Sequence, residues 1–190
     1  MRISPMLLLF CAGLAAMPVA AAPAHYTIEA DKSVVGFETD FGPDKINGKM
    51  PVTQADLTLD FKQVANTKIS VTLDISHAQA SFPFATQALK GPKVLDAVAF
   101  PNITFVSSAV RAKGDGAEVD GLLTIRGKSE PVTLQAQIYR QDGFQDGDYS
   151  QLSVLLTGAV NRSDFGATGW SDMVGDQVRL RILARIVMVR

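Results

Sequence analysis

Cysteine and histidine are scarce in this 190-residue chain, which limits the chemistry that its side chains can perform. The single cysteine, Cys11, lies in an apolar run near the N-terminus, and the two histidines are His25 and His77. The sequence contains no GxSxG elbow, phosphate loop or HExxH pair. Because one cysteine cannot form a disulfide within the chain, stability must come from packing.

An excess of charge is also missing. The chain has 18 lysines and arginines against 19 aspartates and glutamates, for a formal net charge of −1. This balance predicts no nucleic-acid partner, since such partners are attracted by strongly basic surfaces. Beyond the N-terminal run, no segment is long and apolar enough to span a bilayer.

The N-terminal run itself has the layout of a secretory signal peptide, with Arg2 first, then apolar residues, then small residues. Val19 and Ala21 satisfy the small-residue rule for cleavage after Ala21. We therefore predict a signal peptide at residues 1–21 and one domain at residues 22–190, which would act outside the cytoplasm.

Cys11 raises the alternative of a lipid-anchored protein. Lipid attachment requires a small residue just before the cysteine, whereas this chain has Phe10. We therefore expect Cys11 to be removed with the signal peptide, which would leave a mature protein without a thiol.

Apolar residues recur at every second position in many segments, and this is the period of a half-buried β-strand. The clearest case is the C-terminus, where Arg179, Arg181 and Arg185 alternate with an apolar row. The predicted inward rows are Ile69, Val71, Leu73 and Ile75; Val132, Leu134, Ala136 and Ile138; Leu152, Val154, Leu156, Gly158 and Val160; and Val178, Leu180, Ile182, Ala184, Ile186 and Met188.

The strand pattern predicts an all-β fold of about eight strands, either a sandwich or a closed antiparallel barrel. A long strand such as 177–189 favours the barrel, because closure removes exposed edges. Residues 82–97 alone appear helical, and Gly91-Pro92 should split them into two short pieces. We therefore predict a closed antiparallel barrel with one or two short helices.

Few residues suggest catalysis or metal binding. His77 continues the inward row after Ile75, and we interpret it as a hydrogen-bonded structural group at a barrel end. The sequence "DGD" at 146–148 begins like a calcium loop but lacks the required Gly and Glu, so we interpret it as a turn. Asp164, Asp172 and Asp176 could converge on a cation, although Asp in Gly-rich loops more often accepts backbone hydrogen bonds.

Large apolar residues gather outside the regular strands. They are Phe82, Phe84, Phe100, Phe165, Trp170 and Met173. They could form an ordinary small core or the cap of an apolar cavity. A barrel of about eight strands can be filled by side chains or can hold one small ligand, so periodicity alone leaves both open.

Five segments together resemble the YceI family of lipid-binding or polyisoprenoid-binding domains. In chain order they are "YTIEADKSVVGF" (26–37), "FPNITF" (100–105), "LTIRGKSEPVTL" (123–134), "RSDFG" (162–166) and "VGDQVRLRI" (174–182). The resemblance implies a lipocalin-like antiparallel barrel in the periplasm that encloses an isoprenoid or another long-chain amphiphile in an apolar tunnel. We expect no cofactor, and we expect transient contact with a membrane.

On this basis we predict a binding or carrier protein that is not an enzyme. The predicted tunnel and cap residues are Phe37, Phe82, Phe84, Leu89, Leu95, Phe105, Phe165 and Trp170. Two alternatives remain open. An enzyme acting on the lipid would use His77 with an Asp at the cavity, and a filled barrel would instead engage a membrane complex through its surface.

The "RSDFG" segment matches the family's turn between the last two strands. Arg162 and Asp164 are close enough to brace one another across it, Phe165 can fold inward, and Gly166 frees the backbone. The structural interpretation is a hairpin brace. The functional one is a tunnel mouth where Arg162 meets the polar head of an amphiphile, with His77 as the other head-group candidate.

Overall fold

The computed structural model describes residues 23–140, 145 and 147–189. The predicted signal peptide with Cys11, and Asp146 of the calcium-like segment, lie outside the described residues. The elements are β1 (Ala24–Ile28), β2 (Val34–Phe41), β3 (Asp44–Met50), β4 (Val52–Leu59), β5 (Lys68–Asp74), β6 (Gln79–Ala80), α1 (Pro83–Lys90), β7 (Asn102–Lys113), β8 (Gly116–Ile125), β9 (Lys128–Arg140), β10 (Gln151–Asn161) and β11 (Val174–Met188). Short 3-10 helices cover Ala30–Lys32, Val64–Asn66 and Arg162–Phe165.

Eight strands form a closed antiparallel ring in the order β1-β4-β5-β7-β8-β9-β10-β11, and β11 pairs back with β1. The closing register joins Tyr26 to Met188 and Ile28 to Ile186. The N-terminal part of β11, within residues 174–183, also pairs with β2. The β2–β3 hairpin and the two-residue β6 therefore extend the sheet beside the ring. The predicted closed barrel of about eight strands is confirmed.

The apolar rows of the strands face the barrel interior, as the sequence predicts. Val119, Leu134 and Phe165 belong to the larger of two buried clusters, and Leu152 with Ile186 belongs to the smaller one. On the outer face of β11, Arg179 donates from Nε to Glu38 at 2.9 Å. The polar side of each strand is thus solvated or paired across strands, and the apolar side faces the barrel interior.

The single α-helix differs from the expected pair. Pro83 suits the first turn of α1, because a backbone N–H at that position would have no acceptor within the helix, and proline has no N–H to leave unbonded. The helix ends at Lys90, since Gly91 is extended and Pro92 follows. Residues after Gly91 form hydrogen-bonded turns, so the predicted second helical piece is wrong.

The two ends of the barrel are built from different connections. The helix end comprises the segment 75–101 with α1, the β10–β11 loop at 162–173, and the β2–β3 and β8–β9 turns. The hairpin end comprises the β4–β5 connection at 60–67 and the β7–β8 turn at 114–115. In the described residues, no helix is long and apolar enough to cross a membrane.

Candidate functional site

The barrel is not solid, because its interior holds a cavity of about 430 Å³. This volume lies in the range of about 300–1,000 Å³ that is typical of small-molecule sites. The inward rows of the strands supply most of the wall, including Val71, Leu134 and Ile182. A filled barrel, which was one of the alternatives, is therefore excluded.

All eight residues predicted for the tunnel and its cap lie in the cavity wall. They are Phe37, Phe82, Phe84, Leu89, Leu95, Phe105, Phe165 and Trp170. Phe165 is only 1% exposed and joins the larger buried cluster, so it forms a fixed part of the wall. The structure places these side chains together, and their contact with a ligand stays a prediction.

Two phenylalanine rings of the wall depend on glycines in the neighbouring strands. The ring of Phe37 covers Gly48 of β3, where an added Cβ would meet it at 2.1 Å. The ring of Phe105 likewise covers Gly121 of β8, at 2.5 Å from an added Cβ. These glycines let the rings lie flat along the sheet, which preserves space in the cavity.

Sequence reasoning missed other parts of the wall, including Phe41 and Phe61. Phe41 ends β2 immediately before Gly42-Pro43, whose turn composition obscures its place in the inward row. The signal that could have found it is the spacing of Phe37, Thr39 and Phe41 at every second position.

The buried polar side chains of the wall are already bonded to the protein. Thr39 donates from Oγ1 to the carbonyls of Gly175 at 3.0 Å and Gln177 at 3.1 Å. The carboxylate of Asp60 accepts bonds from Lys62 N, Gln63 N and Asn66 Nδ2 at 2.8–3.0 Å. These bonds hold the pKa of Asp60 below its usual value, the bond from Gln63 most strongly.

Arg162 is the buried cation of the wall, and it is used as a structural clamp. Its Nε donates to Gly175 O at 3.0 Å, its Nη1 to Ala167 O and to Gly169 O at 2.8 Å, and its Nη2 to Val174 O at 2.9 Å. Burial lowers the pKa of Arg162.

The predicted brace therefore exists, but its acceptors are backbone carbonyls of the β10–β11 loop and of the start of β11, and not the carboxylate of Asp164. Gly166 adopts the left-handed conformation at φ 75°, as the turn requires. Four of the five guanidinium N–H groups of Arg162 are already used, and its contact with a head group stays a prediction.

His77 is hydrogen-bonded at a barrel end, as interpreted, but its inward placement is wrong, because its side chain is 77% exposed and is not among the described residues that line the cavity. The strand ends at Asp74, and the chain turns outward before the inward row reaches His77. Its Nδ1 lies 2.5 Å from Asp74 Oδ2, and Ser76 Oγ donates to Asp74 Oδ1 at 2.6 Å.

The bond from Ser76, followed by the one from His77, lowers the pKa of Asp74 to about 2. A histidine–aspartate pair is thus present, but it faces solvent. The enzyme alternative needed this pair to open into the cavity, and it does not.

The three aspartates considered for a cation do not converge. Asp176 instead accepts from Ser163 N at 2.9 Å and from Ser163 Oγ at 2.7 Å. Within residues 23–140, 145 and 147–189, no group of three or more His, Cys, Asp or Glu side chains is arranged to hold a metal ion.

An aromatic rim surrounds the cavity at the helix end. The helix-end rim consists of Phe41, Phe82, Phe84, Trp170 and Met173, and all five line the cavity. The rings of Phe41 and Phe82 lie 6.0 Å apart, and those of Phe84 and Trp170 meet edge-on at 6.3 Å. Phe84 is 64% exposed and Met173 is 47% exposed, so these two rim residues contact both the cavity and solvent.

Comparison with known families assigns the chain, since the YceI-like domain model matches residues 26–186. The chain belongs to the YceI-like domain family. The resemblance inferred from the five segments is confirmed, and the matched region extends from β1 into β11. YceI-like membership is consistent with a binding protein, because the fold encloses the cavity described above.

Curated YceI-like relatives are UPF0312 proteins, a name that states no catalytic activity. One from Yersinia pestis (strain Pestoides F) is 29% identical over 133 residues, which cover 70% of this chain and 69% of the relative. Another from Vibrio parahaemolyticus is 29% identical over 136 residues, covering 68% of this chain and 72% of the relative.

Solved YceI-like structures share the fold. The crystal structure of BcnA from Burkholderia cenocepacia has a TM-score of 0.74 at 23% identity and covers 85% of this chain and 99% of BcnA. The YceI protein of Campylobacter jejuni has a TM-score of 0.61 at 22% identity, covering 75% of this chain and 84% of that structure. At these identities the likeness shows the fold alone.

Proposed function

We propose that the protein is a periplasmic binding or carrier protein that holds a long-chain apolar or amphiphilic ligand, such as a polyisoprenoid or a fatty-chain lipid, in the barrel. The observation that carries the proposal is the cavity of about 430 Å³ with an apolar wall. Transfer of a hydrocarbon chain from water to such a wall is favourable by about 25 cal/mol per Å² of apolar surface removed from water.

The bonding of the polar wall groups supports a hydrocarbon ligand over a polar one. Thr39, Asp60 and Arg162 direct their hydrogen bonds to the protein, so a polar ligand group in the interior would lose water without gaining a matched partner. The ligand's polar head should therefore stay near an opening. In this proposal the protein performs no reaction and uses no cofactor.

The periplasmic location rests on the signal-peptide layout of residues 1–21 and on family membership. Recovery of the protein in the periplasmic fraction tests the location, and its intact mass tests cleavage after Ala21. A mass that begins near Ala22 is expected, and one that retains Cys11 or carries a diacyl group would contradict a cleaved, thiol-free product.

The ligand is tested by native mass spectrometry of protein purified from the periplasm, followed by extraction of the bound molecule. We expect additional mass from a molecule with a long hydrocarbon chain. The delipidated protein should then bind a polyprenyl amphiphile and gain thermal stability, because the ligand binds only the folded state.

A matched pair of variants on β11 tests whether the ligand binds inside the cavity. Ala184→Phe adds a ring on the inward face and should reduce polyprenyl binding. Arg181→Phe adds the same ring on the outer face of the strand and should leave binding unchanged. Equal affinities for both variants, once thermal melting shows that both are folded, would place the ligand outside the cavity and overturn the proposal.

A further inference from the structure

The helix-end rim exposes apolar surface that a protein in water normally hides. Phe84 and Met173 are the exposed members, and Trp170 lies in edge contact with Phe84. Gly42 N donates to Met173 O at 3.1 Å, which brings the β2–β3 turn against the same loop. The exposed side chains are therefore neighbours around one opening and not single scattered residues.

Lys93 adds a cation to this surface. Its Nζ lies 5.8 Å from the centre of the Trp170 ring. In the described residues it makes no ion pair within 4.0 Å, and its side chain is exposed. A tryptophan beside a lysine is suited to the boundary of a bilayer, where the ring enters the head-group region and the ammonium group remains hydrated.

Other charges near the rim keep the electrostatic contribution small. Asp172 is exposed on the same loop and carries the opposite sign. Lys90 donates to Ser76 O at 2.6 Å. Apolar contact should therefore contribute more to binding of this surface than attraction to anionic lipids.

The cavity wall also reaches exposed residues at the hairpin end, where Asp115 and Ile138 line it. A carboxylate at that position disfavours contact with hydrocarbon. Among the described residues, the exposed aromatic and thioether side chains of the wall are at the helix end. The helix end is thus the end suited to an apolar surface.

We propose that the helix-end rim docks on the surface of a lipid bilayer, with Phe84, Trp170 and Met173 entering the head-group region. Docking would join the mouth of the cavity to the bilayer interior, so a hydrocarbon chain could pass between them without crossing water. The proposal rests on the proposed function, because the exchange of an insoluble ligand is what makes such contact useful.

The test measures binding of the purified full protein to phosphatidylcholine vesicles and to vesicles of phosphatidylethanolamine with phosphatidylglycerol. We expect binding to both, and the double variant Phe84→Ser, Met173→Ser should weaken it about tenfold or more, because two large apolar side chains are removed. The matched control is Leu122→Ser on the outer face of β8, where the side chain is 50% exposed and is not part of the described cavity wall. It should bind as the parent does.

Trp170 reports the contact directly, since it is the only tryptophan in the chain. Phosphatidylcholine brominated on its acyl chains should quench its emission in the parent protein. Vesicle binding without quenching would mean that another surface is attached, and equal binding by the double variant and the Leu122→Ser control would have the same meaning. Either result, or no vesicle binding at all, overturns the docking proposal.

Removing the vesicles separates this proposal from the proposed function. Emission that recovers in the supernatant shows contact with the bilayer alone, and emission that stays quenched shows a brominated chain carried in the cavity. Polyprenyl binding from detergent solution without vesicle contact would refute the rim proposal alone. Vesicle contact without binding of any chain would refute the proposed function alone.

Discussion

The two ends of the barrel use aromatic side chains in opposite ways. At the hairpin end the ring of Phe61 stacks on Tyr149 at 4.4 Å and 9°, and Tyr26 meets Phe61 edge-on at 6.2 Å. At the helix end Phe84 meets Trp170 at a similar edge-on distance but is 64% exposed. Tyr26 and Phe61 pack in the smaller buried cluster, whereas Phe84 and Trp170 line the cavity at the helix end.

This difference separates two uses of the same residue type. Buried rings at the hairpin end should contribute to the free energy of unfolding, since they pack against Leu57, Leu152 and Ile186. Rings at the helix end are less constrained by packing, and their contribution should appear when a ligand or a bilayer covers them. Variants at the two ends should therefore differ in whether they change stability or binding.

The largest effect is expected from Arg162→Met, which should reduce stability although Arg162 lies at the helix end. The variant leaves four backbone carbonyls without the guanidinium donors, so the free energy of unfolding should fall by about 3 kcal/mol or more. Urea denaturation measures the loss. Arg181→Met, an exposed arginine on β11, is the control and should be nearly neutral.

Trp170→Ala should change binding more than stability. Because the ring lines the cavity at its opening, loss of this side chain should weaken polyprenyl binding by about 1–3 kcal/mol. In the parent protein, ligand should desolvate the indole and shift its emission toward the blue. Fluorescence titration tests both, and an unmoved spectrum with independently measured binding would exclude Trp170 from the cap.

Tyr26→Phe tests the hairpin end. The Tyr26 hydroxyl donates to Tyr149 O at 2.8 Å, so its removal should lower the free energy of unfolding by about 1 kcal/mol and leave ligand affinity unchanged. A change in affinity equal to that of Trp170→Ala would remove the distinction between the ends.

The same tyrosine predicts sensitivity to alkali. Burial, more than the neighbouring Tyr149 and Asp148, raises the pKa of Tyr26 from 10.0 to about 12. The unfolded chain therefore releases this proton first, and the parent protein should lose stability as the pH rises from about 10 to about 12. Tyr26→Phe should lose less over that range in parallel urea titrations.

The smallest effect is expected at the exposed pair of Asp74 and His77. Because the pKa of Asp74 falls from 3.8 to about 2 on folding, its contribution to stability is present above pH 4 and is lost as the pH falls toward 2. Asp74→Asn should flatten that part of the stability profile slightly. His77→Gln should leave polyprenyl affinity unchanged. Reduced affinity would mean that the histidine–aspartate pair contributes to ligand binding.

The strands that alternate over long runs were predictable because one face of each is buried. Residues 44–50 form β3 although Asn47-Gly48 has the composition of a turn, so local composition does not predict this strand. His77 was placed inward because alternation does not show where a strand ends. The acceptors of Arg162 could not be predicted either, because they are backbone carbonyls, which have no signature in the sequence.

The wall residues were predictable for a different reason. Large apolar residues outside the strands, such as Phe84 and Trp170, had no place in the alternating rows, which suggested a cap. The cavity itself was not derivable from periodicity, because a filled and a hollow barrel have the same inward rows. What separates them is the position of rings such as Phe105 over Gly121, which depends on pairing across strands.

The β11 strand has a consequence for how the chain folds. It follows the other ten strands of the described sheet along the chain, yet it pairs with β10, with β2 and with β1. The ring can close only after Tyr26 has paired with Met188, which lies far along the chain. Such distant pairing makes folding slow, and until β11 arrives the edges of β1, β2 and β10 remain open to unwanted partners.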